Sequence, residues 1–331
     1  MRFSHNITHL LLAAIALSAM ALMAVAQPGT PLPPAYGMSD QKPGSVLFFP
    51  YYSSHVVWPA QENTKINITN THATQSVYVH MFFVDSGTCQ SADTFVCLTA
   101  NQTFTFVVSD YDPGITGYLL VVAVDGTTGL PMQFNYLAGD YYLKLLSGHT
   151  ANLGAEAFAA LNANPAPLNI DGATADIKFD DVNYNAGPRV LMLNNISSRL
   201  DGNDTLLLLT RLGGNLAGGE GDYIGGLLGL TYDDVEKGYS FTLAGGKCQY
   251  RASLSDSTPR MVPRFTTIIK AGRSGWMKLW PTGNFPVVGV MINLNSGAGN
   301  SVRAYNGGHN LHALTTTNTG VFKLPVFVPT C

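Results

Sequence analysis

The chain has 331 residues, a formal net charge of −3, and only 12% charged side chains against 46% hydrophobic ones. That charged share is about half of ordinary usage, and no run of Lys or Arg exists to neutralise a row of phosphates, so nucleic acid is excluded as the expected partner. The four glutamates (Glu62, Glu156, Glu220 and Glu236) are outnumbered by Gly, Thr, Asn, Val and Tyr, a balance that favours pleated surfaces over helices and points to an all-β chain.

In chain order, residues 1–26 read as a secretory signal: Arg2 gives a positive start, Leu10 to Val25 an apolar core, and "AVA" before Gln27 a small-x-small cleavage form. Residues 27–44 are a Pro/Gly-rich leader. "SVLFFPYY" (45–52) is the first expected strand, with Pro50 restricting it to an edge or a bulge. In "TKINIT", Ile66 and Ile68 share a face against Lys65, Asn67 and Thr69. In "SVYVHMFFV", Val77, Val79, Met81 and Phe83 oppose Tyr78, His80 and Phe82. Period-2 alternation gives each strand one buried face, and the polar "NTHATQ" between them is a hairpin turn or inter-sheet corner.

Further strand-sized runs follow at "TFTFVVS" (103–109), "GYLLVVAVD" (117–125) and "LPMQFNYLA" (130–138), spaced as in a sandwich or a small barrel. Residues 149–187 break the rhythm and read as a connector, with one short helix in "LGAEAFAALNANP" stopped at Asn164-Pro165. Beyond it the plan repeats. "DTLLLLTR" (204–211) parallels "TKINITN", "RFTTIIKAGRSGWMKLW" (264–280) parallels "TFTFVVSDYDPGITGYLLV", and "FPVVGVMINL" (285–294) parallels "LPMQFNYLA". The expected fold is two immunoglobulin-like β-sandwich domains in tandem, residues 45–148 and 188–331.

The stretches "NTKINITNTHATQSVYVHMFFVD", "LTANQTFTFVVS" and "GYLLVVAVD" resemble uncharacterised bacterial exported proteins with immunoglobulin-like sandwiches, best over residues 45–138. The resemblance implies fold and export and supplies no catalytic residues. Four cysteines in an exported chain allow three pairings. Cys89–Cys97, closing a small loop, and Cys248–Cys331, tying back the C-terminus, are the favoured pair.

Several motifs carry the local chemistry of a site. "FFVDSGT" (82–88) has the local form of an aspartic-protease carboxylate, but Asp85 needs a second one, and Asp125 in "VAVDGTTG" lacks the following Ser/Thr-Gly. His309 and His312 are three apart with no zincin Glu. "AGRSGW" misses the nucleophile-elbow spacing around Ser274. "SDYDPG" (109–114) and "TYDDVE" (231–236) lack a full calcium-ligand set. N-x-S/T triplets occur at Asn67, Asn101, Asn195 and Asn203. Phe134, Tyr136, Tyr141 and Tyr142 in "FNYLAGDYYLKL" are the candidate binding aromatics, suited to sugars or another protein.

The sequence thus gives an exported, non-enzymatic structural or adhesive protein of the cell envelope, periplasm or extracellular space. It would bind an unknown protein or glycan at the cell surface, without cofactor or metal, and carry no transmembrane helix in its mature chain. The alternatives are a secreted hydrolase of unrecognised type and an outer-membrane β-barrel.

Overall fold

The computed structural model describes residues 37–295, 297 and 305–330. The expected signal segment, most of the expected leader and Cys331 lie outside them. The strands of the first half are β1 (Val46–Ser53), β2 (Asn63–Asn70), β3 (Val77–Asp85), β4 (Ser91–Leu98), β5 (Thr103–Val107), β6 (Thr116–Val124), β7 (Leu137–Lys144), β8 (Thr150–Gly154), β9 (Glu156–Phe158) and β10 (Thr174–Phe179). Those of the second are β11 (Gly187–Ser197), β12 (Asn203–Arg211), β13 (Gly214–Asn215), β14 (Glu220–Gly221), β15 (Leu227–Tyr232), β16 (Gly238–Leu243), β17 (Gln249–Ser253), β18 (Ser274–Pro281), β19 (Val287–Asn295), β20 (Gly307–Asn310), β21 (His312–Thr317) and β22 (Gly320–Pro325). One four-residue helix, α1 (Phe265–Ile268), precedes β18.

These strands make five small sheets, ordered β4-β3-β6-β1-β9 (sheet I), β5-β2-β7-β8 (II), β10-β22-β13-β14 (III), β16-β15-β18-β11-β21 (IV) and β17-β12-β19-β20 (V). The arrangement is a five-bladed β-propeller of small sheets, although its blades interleave distant strands and are not consecutive meanders. Two tandem immunoglobulin-like sandwiches are therefore not what forms. The halves do not close separately: Leu206 and Leu208 of β12 and Val290 and Ile292 of β19 enter one core with Leu47, Tyr51, Ile66 and Leu143 of the first half. The described residues belong to a single compact unit, residues 34–331.

The repetition between the halves persists as topology. Strand by strand, the order of sheet I is that of sheet IV, and the order of sheet II is that of sheet V. Even irregularities recur. The β1–β6 register shifts between Phe49 and Tyr52, and the equivalent β11–β18 register shifts between Leu193 and Ile196. The first bulge sits at Pro50, whose missing N–H cannot join a ladder.

Beside each bulge is the Gly-aromatic pair that the sequence repeats, Gly117-Tyr118 and Gly275-Trp276. A Cβ on Gly117 would lie 1.9 Å from the Val84 carbonyl oxygen, and one on Gly275 would lie 2.6 Å from that of Tyr232. Val84, next to last in β3, and Tyr232, last in β15, face the aromatic of each pair in the same register, so the close backbone approach itself is repeated.

Alternation correctly assigns the faces of β2, where Ile66 and Ile68 are buried. The "NTHATQ" segment is an inter-sheet corner, since β2 belongs to sheet II and β3 to sheet I. The expectation of one buried face per strand fails for sheet I. On one side Val79, Met81 and Val121 join the core shared with sheets II and V. On the other, Phe48, Phe82, Leu120 and Val122 pack against Ile177, Phe179, Phe322 and Leu324 of sheet III.

Residues 149–187 are accordingly no linker. They supply β8, β9 and β10, and the expected helix is absent because Glu156 to Phe158 pair with β1. Ladder bonds and burial outweigh the helix propensity of "AEAFAA".

The cysteine pairing also differs. Cys89 bonds Cys248, with Cα atoms 5.3 Å apart and a sequence separation of 159, so this bridge joins the two halves. Cys97 is also bonded, and Cys331 is outside the described residues. A loop of that length restricts the unfolded chain by about 5 kcal/mol in the chain-entropy account.

Gly117→Ala and Gly275→Ala should each destabilise the protein by about 1–3 kcal/mol through forced backbone displacement, Gly117→Ala the more. Urea unfolding monitored by circular dichroism checks this; wild-type midpoints for both variants would show that the close approach can relax.

Candidate functional site: the outer face of sheet II

Sheet II covers the shared core with one face and turns the other to solvent. Alternation carries Ile66, Phe106, Tyr141, Leu143 and Leu153 inward. It carries Lys65, Asn67, Thr69, Thr105, Asp140, Tyr142, Lys144 and Asn152 outward. Register aligns them in rows. Val107, Lys65, Tyr142 and Asn152 form one row across the four strands, and Thr105, Asn67 and Asp140 lie in another.

The polar groups are pre-oriented. Thr105 Oγ1 donates to Asn67 Oδ1 at 2.7 Å, and the Asn67 amide donates to Asp140. Thr69 and Thr103 hydroxyls meet at 2.8 Å, and Lys144 Nζ donates to the Ala60 carbonyl at 2.6 Å.

Tyr142, 49% exposed, separates two open depressions. One, of about 360 Å³, has Pro59, Lys65, Val107 and Lys144 around it; the other, of about 310 Å³, has Thr150, Asn152 and Asn306. A third, of about 330 Å³, lies at the Asp140 end between Thr69, Ala138, Gly154 and residues 40–43. Glu156, 4% exposed, follows the lining residue Ala155 along the chain. Burial, then the charge of Asp40, pushes its carboxyl up to about 8, while a hydrogen bond with Asn310 pulls the other way.

Of the four aromatics expected here, Tyr136 and Tyr142 are exposed, whereas Phe134 and Tyr141 are core residues. Tyr141 packs edge-on against Phe49 at 5.5 Å. Tyr136 sits at the sheet's far end with its edge toward His72 at 4.5 Å. Lys65, Lys144 and Asn152 were not singled out from the sequence; their outward positions on alternating strands beside Tyr142 are the signal that would have found them.

The remaining motifs resolve into turns and braces. Asp85 accepts from the Thr88 amide at 3.1 Å, and Asp125 from the Thr127 and Thr128 amides at 3.0 and 2.8 Å. Those bonds hold Asp125 below the usual carboxylate range. Asp85 ends β3 and Asp125 follows the last residue of its antiparallel neighbour β6, so the two carboxylates lie at opposite ends of the strand pair, with Asp85 facing Gly117 and Tyr78 facing Val124. That places them roughly 20–25 Å apart at strand rise, too far to share a proton.

His309 and His312 stack at 5.6 Å, but among the described residues no three His, Cys, Asp or Glu converge as for a metal. Ser274 opens β18 opposite Ser197, with α1 before it and no helix after it. Asp112 accepts from the Tyr52 hydroxyl at 2.5 Å, and Asp234 pairs with Arg273 at 2.6 Å. Asn203 is buried with its amide on the Ser198 carbonyl, closed to modification.

A trio not visible in the sequence is Ser147, His149 and Asp204. Ser147 Oγ lies 2.9 Å from His149 Nδ1, and His149 Nε2 lies 3.2 Å from the Asp204 carbonyl oxygen and 3.6 Å from its carboxylate. The order resembles a nucleophile, base and carboxylate, but the imidazole sits nearer the main-chain oxygen, and the carboxylate is held by Arg199 at 2.8 Å. The trio fastens the β7–β8 turn to β12.

No protein-family model matches the chain, and no curated protein matches it. Among solved structures, one described as "Crystal Structure of Thermotoga maritima 1070" aligns with 11% identity over 34% of this chain and 93% of that one, with a TM-score of 0.26. Likeness at that level carries no argument about fold or function.

Glu156→Gln should be more stable than wild type near neutrality. The folded carboxyl titrates near 8 against a usual 4.5, so between those values the unfolded state binds fewer protons and stability falls as pH rises. The variant's gain should be of the order of 2–3 kcal/mol at pH 7 and vanish near pH 4. Thermal melts across pH 4–8 measure it; an equal difference at both ends would refute the buried neutral acid.

Proposed function

We propose that this is an exported, non-enzymatic binding protein of structural or adhesive role, and that it holds a glycan on the outer face of sheet II. The observation that carries the reading is Tyr142, an exposed ring set between two depressions and flanked by Lys65, Lys144 and Asn152. A sugar ring presents an apolar face of C–H groups and a polar rim, and a flat sheet with one aromatic and short, pre-oriented amides and hydroxyls complements both. The row spacing suits an extended chain lying across the strands rather than a single enclosed molecule.

Export rests on the sequence of residues 1–26, outside the described structure. Among the described residues no helix is long and apolar enough to cross a membrane. A membrane barrel requires one closed sheet, whereas the described strands form five separate sheets.

A hydrolase on this same face has one observation in its favour. Asp40 and Asp140 line the third depression, and Asp40 acts on the carboxyl of the buried Glu156, which follows the lining residue Ala155; paired carboxyls in unlike environments are what glycoside hydrolysis uses.

A glycan array followed by titration of the best ligand decides between these readings. Tyr142→Ala should weaken binding about 3–10-fold, as loss of an aromatic contact of about 0.5–1.5 kcal/mol implies, with the ligand recovered uncleaved. Release of reducing ends, abolished in Glu156→Gln, would establish the hydrolase instead. Wild-type affinity in Tyr142→Ala would remove the face from consideration.

A further inference from the structure

Outside sheet II, the loop between β17 and β18 and the turn at Arg199–Asp201 enclose an open cleft of about 770 Å³. Three of the chain's nine arginines, Arg199, Arg260 and Arg264, line it. They converge from separate segments, which is why the sequence shows no basic cluster.

Their state differs. Arg199 is committed, donating to the Asp204 carboxylate at 2.8 Å and the Leu254 carbonyl at 3.0 Å. Arg260 and Arg264 make no ion pair within 4.0 Å among the described residues. The one carboxylate lining the cleft, Asp256, already accepts from the Thr266 amide at 2.9 Å and from its hydroxyl at 2.8 and 3.0 Å. It braces the loop and its charge acts on Arg264 and Arg199 through space, but it makes no ion-pair contact with Arg260 or Arg264.

The loop is anchored rather than loose. Leu254, Met261, Phe265 and Ile268 are buried in the core of sheets IV and V, and the Ser255 and Thr258 main chains bond each other in both directions at 2.7 and 3.1 Å. The two unpaired forks are therefore presented on fixed backbone, with Ser255 and Ser257 hydroxyls 3.1 Å apart beside them.

We propose that this cleft is a second binding site, specific for an oxyanion group carried on a saccharide-sized molecule, such as a uronate carboxylate or a sugar sulfate. A planar fork of N–H donors matches the paired oxygens of such groups. The volume exceeds that of a lone inorganic ion, and the serine hydroxyls supply donors and acceptors for sugar hydroxyls. This site shares no residue with the face of sheet II, so it stands if that reading fails.

The test is calorimetric titration of the mature, disulfide-intact protein at 50 mM and 300 mM salt. The probes are a sulfated disaccharide, digalacturonate, inorganic sulfate and a neutral disaccharide. The expected result is binding of at least one acidic disaccharide, weakened at least fivefold at high salt. Arg260→Gln with Arg264→Gln should weaken it tenfold or more. Arg260→Lys, which keeps charge and loses the fork, should fall between, while Tyr142→Ala should stay within twofold of wild type. Equal affinity for the neutral disaccharide, wild-type affinity in a folded double glutamine variant, or absence of acidic-disaccharide binding would overturn the site. Inorganic sulfate binding as tightly as the acidic disaccharides would overturn the saccharide assignment.

Discussion

The carbonyl of Pro50 is the point on which the two halves meet. Proline interrupts the β1–β6 ladder, and Thr210 Oγ1 and Gln249 Nε2 reach the carbonyl oxygen at 2.9 and 2.7 Å. The same Gln249 amide lies 3.0 Å from the Gly117 carbonyl oxygen, and Gln249 is 4% exposed. A buried carbonyl without a partner costs about 1–3 kcal/mol, so the bulge in the first half is tolerable only with the second half in place. Cys248, one residue earlier, carries the bridge to Cys89. The leucines of β12 complete the seam from the apolar side.

How much of this was legible in the sequence depends on the kind of signal. Where alternation was clean, as in β2, the buried face was assigned correctly, whereas Tyr142 was grouped with Phe134 and Tyr141, which the packed sheet turns into the core. The runs "LLLL" at 206–209 and "LLVVAV" at 119–124 carried different information. An unbroken apolar run marks a strand buried on both faces, and β12 indeed sends Leu206 and Leu208 to one core and Leu207 and Leu209 to another. Two self-contained sandwiches leave no reason for such a run. The Gly-aromatic repeat was visible too, but its cause, a neighbouring carbonyl oxygen at contact distance, is a property of the packed sheet.

Other features depended on contacts that no local pattern encodes. The Cys89–Cys248 bond spans 159 residues, and spacing favours short loops. The helix expected near Glu156 loses to strand pairing with Phe48, a partner more than a hundred positions away. Of the paralleled segments, "RFTTIIK" begins as α1 rather than a strand, because its topological place is the turn before β18. The arginine cleft gathers Arg199 with a loop some sixty residues on, so a chain without a basic run still builds a basic site.

Structure and function separate by surface. The central sheets are buried on both faces and hold the repeated halves together, while the proposed binding surfaces are the solvent side of sheet II and the loop after β17. The most direct measurement of the shared core is differential scanning calorimetry of the mature, disulfide-intact protein beside Gln249→Leu. The account predicts one transition in both, with calorimetric and van't Hoff enthalpies in agreement and the variant melting lower. Two separable transitions in wild type, or an unshifted melt in the variant, would contradict it.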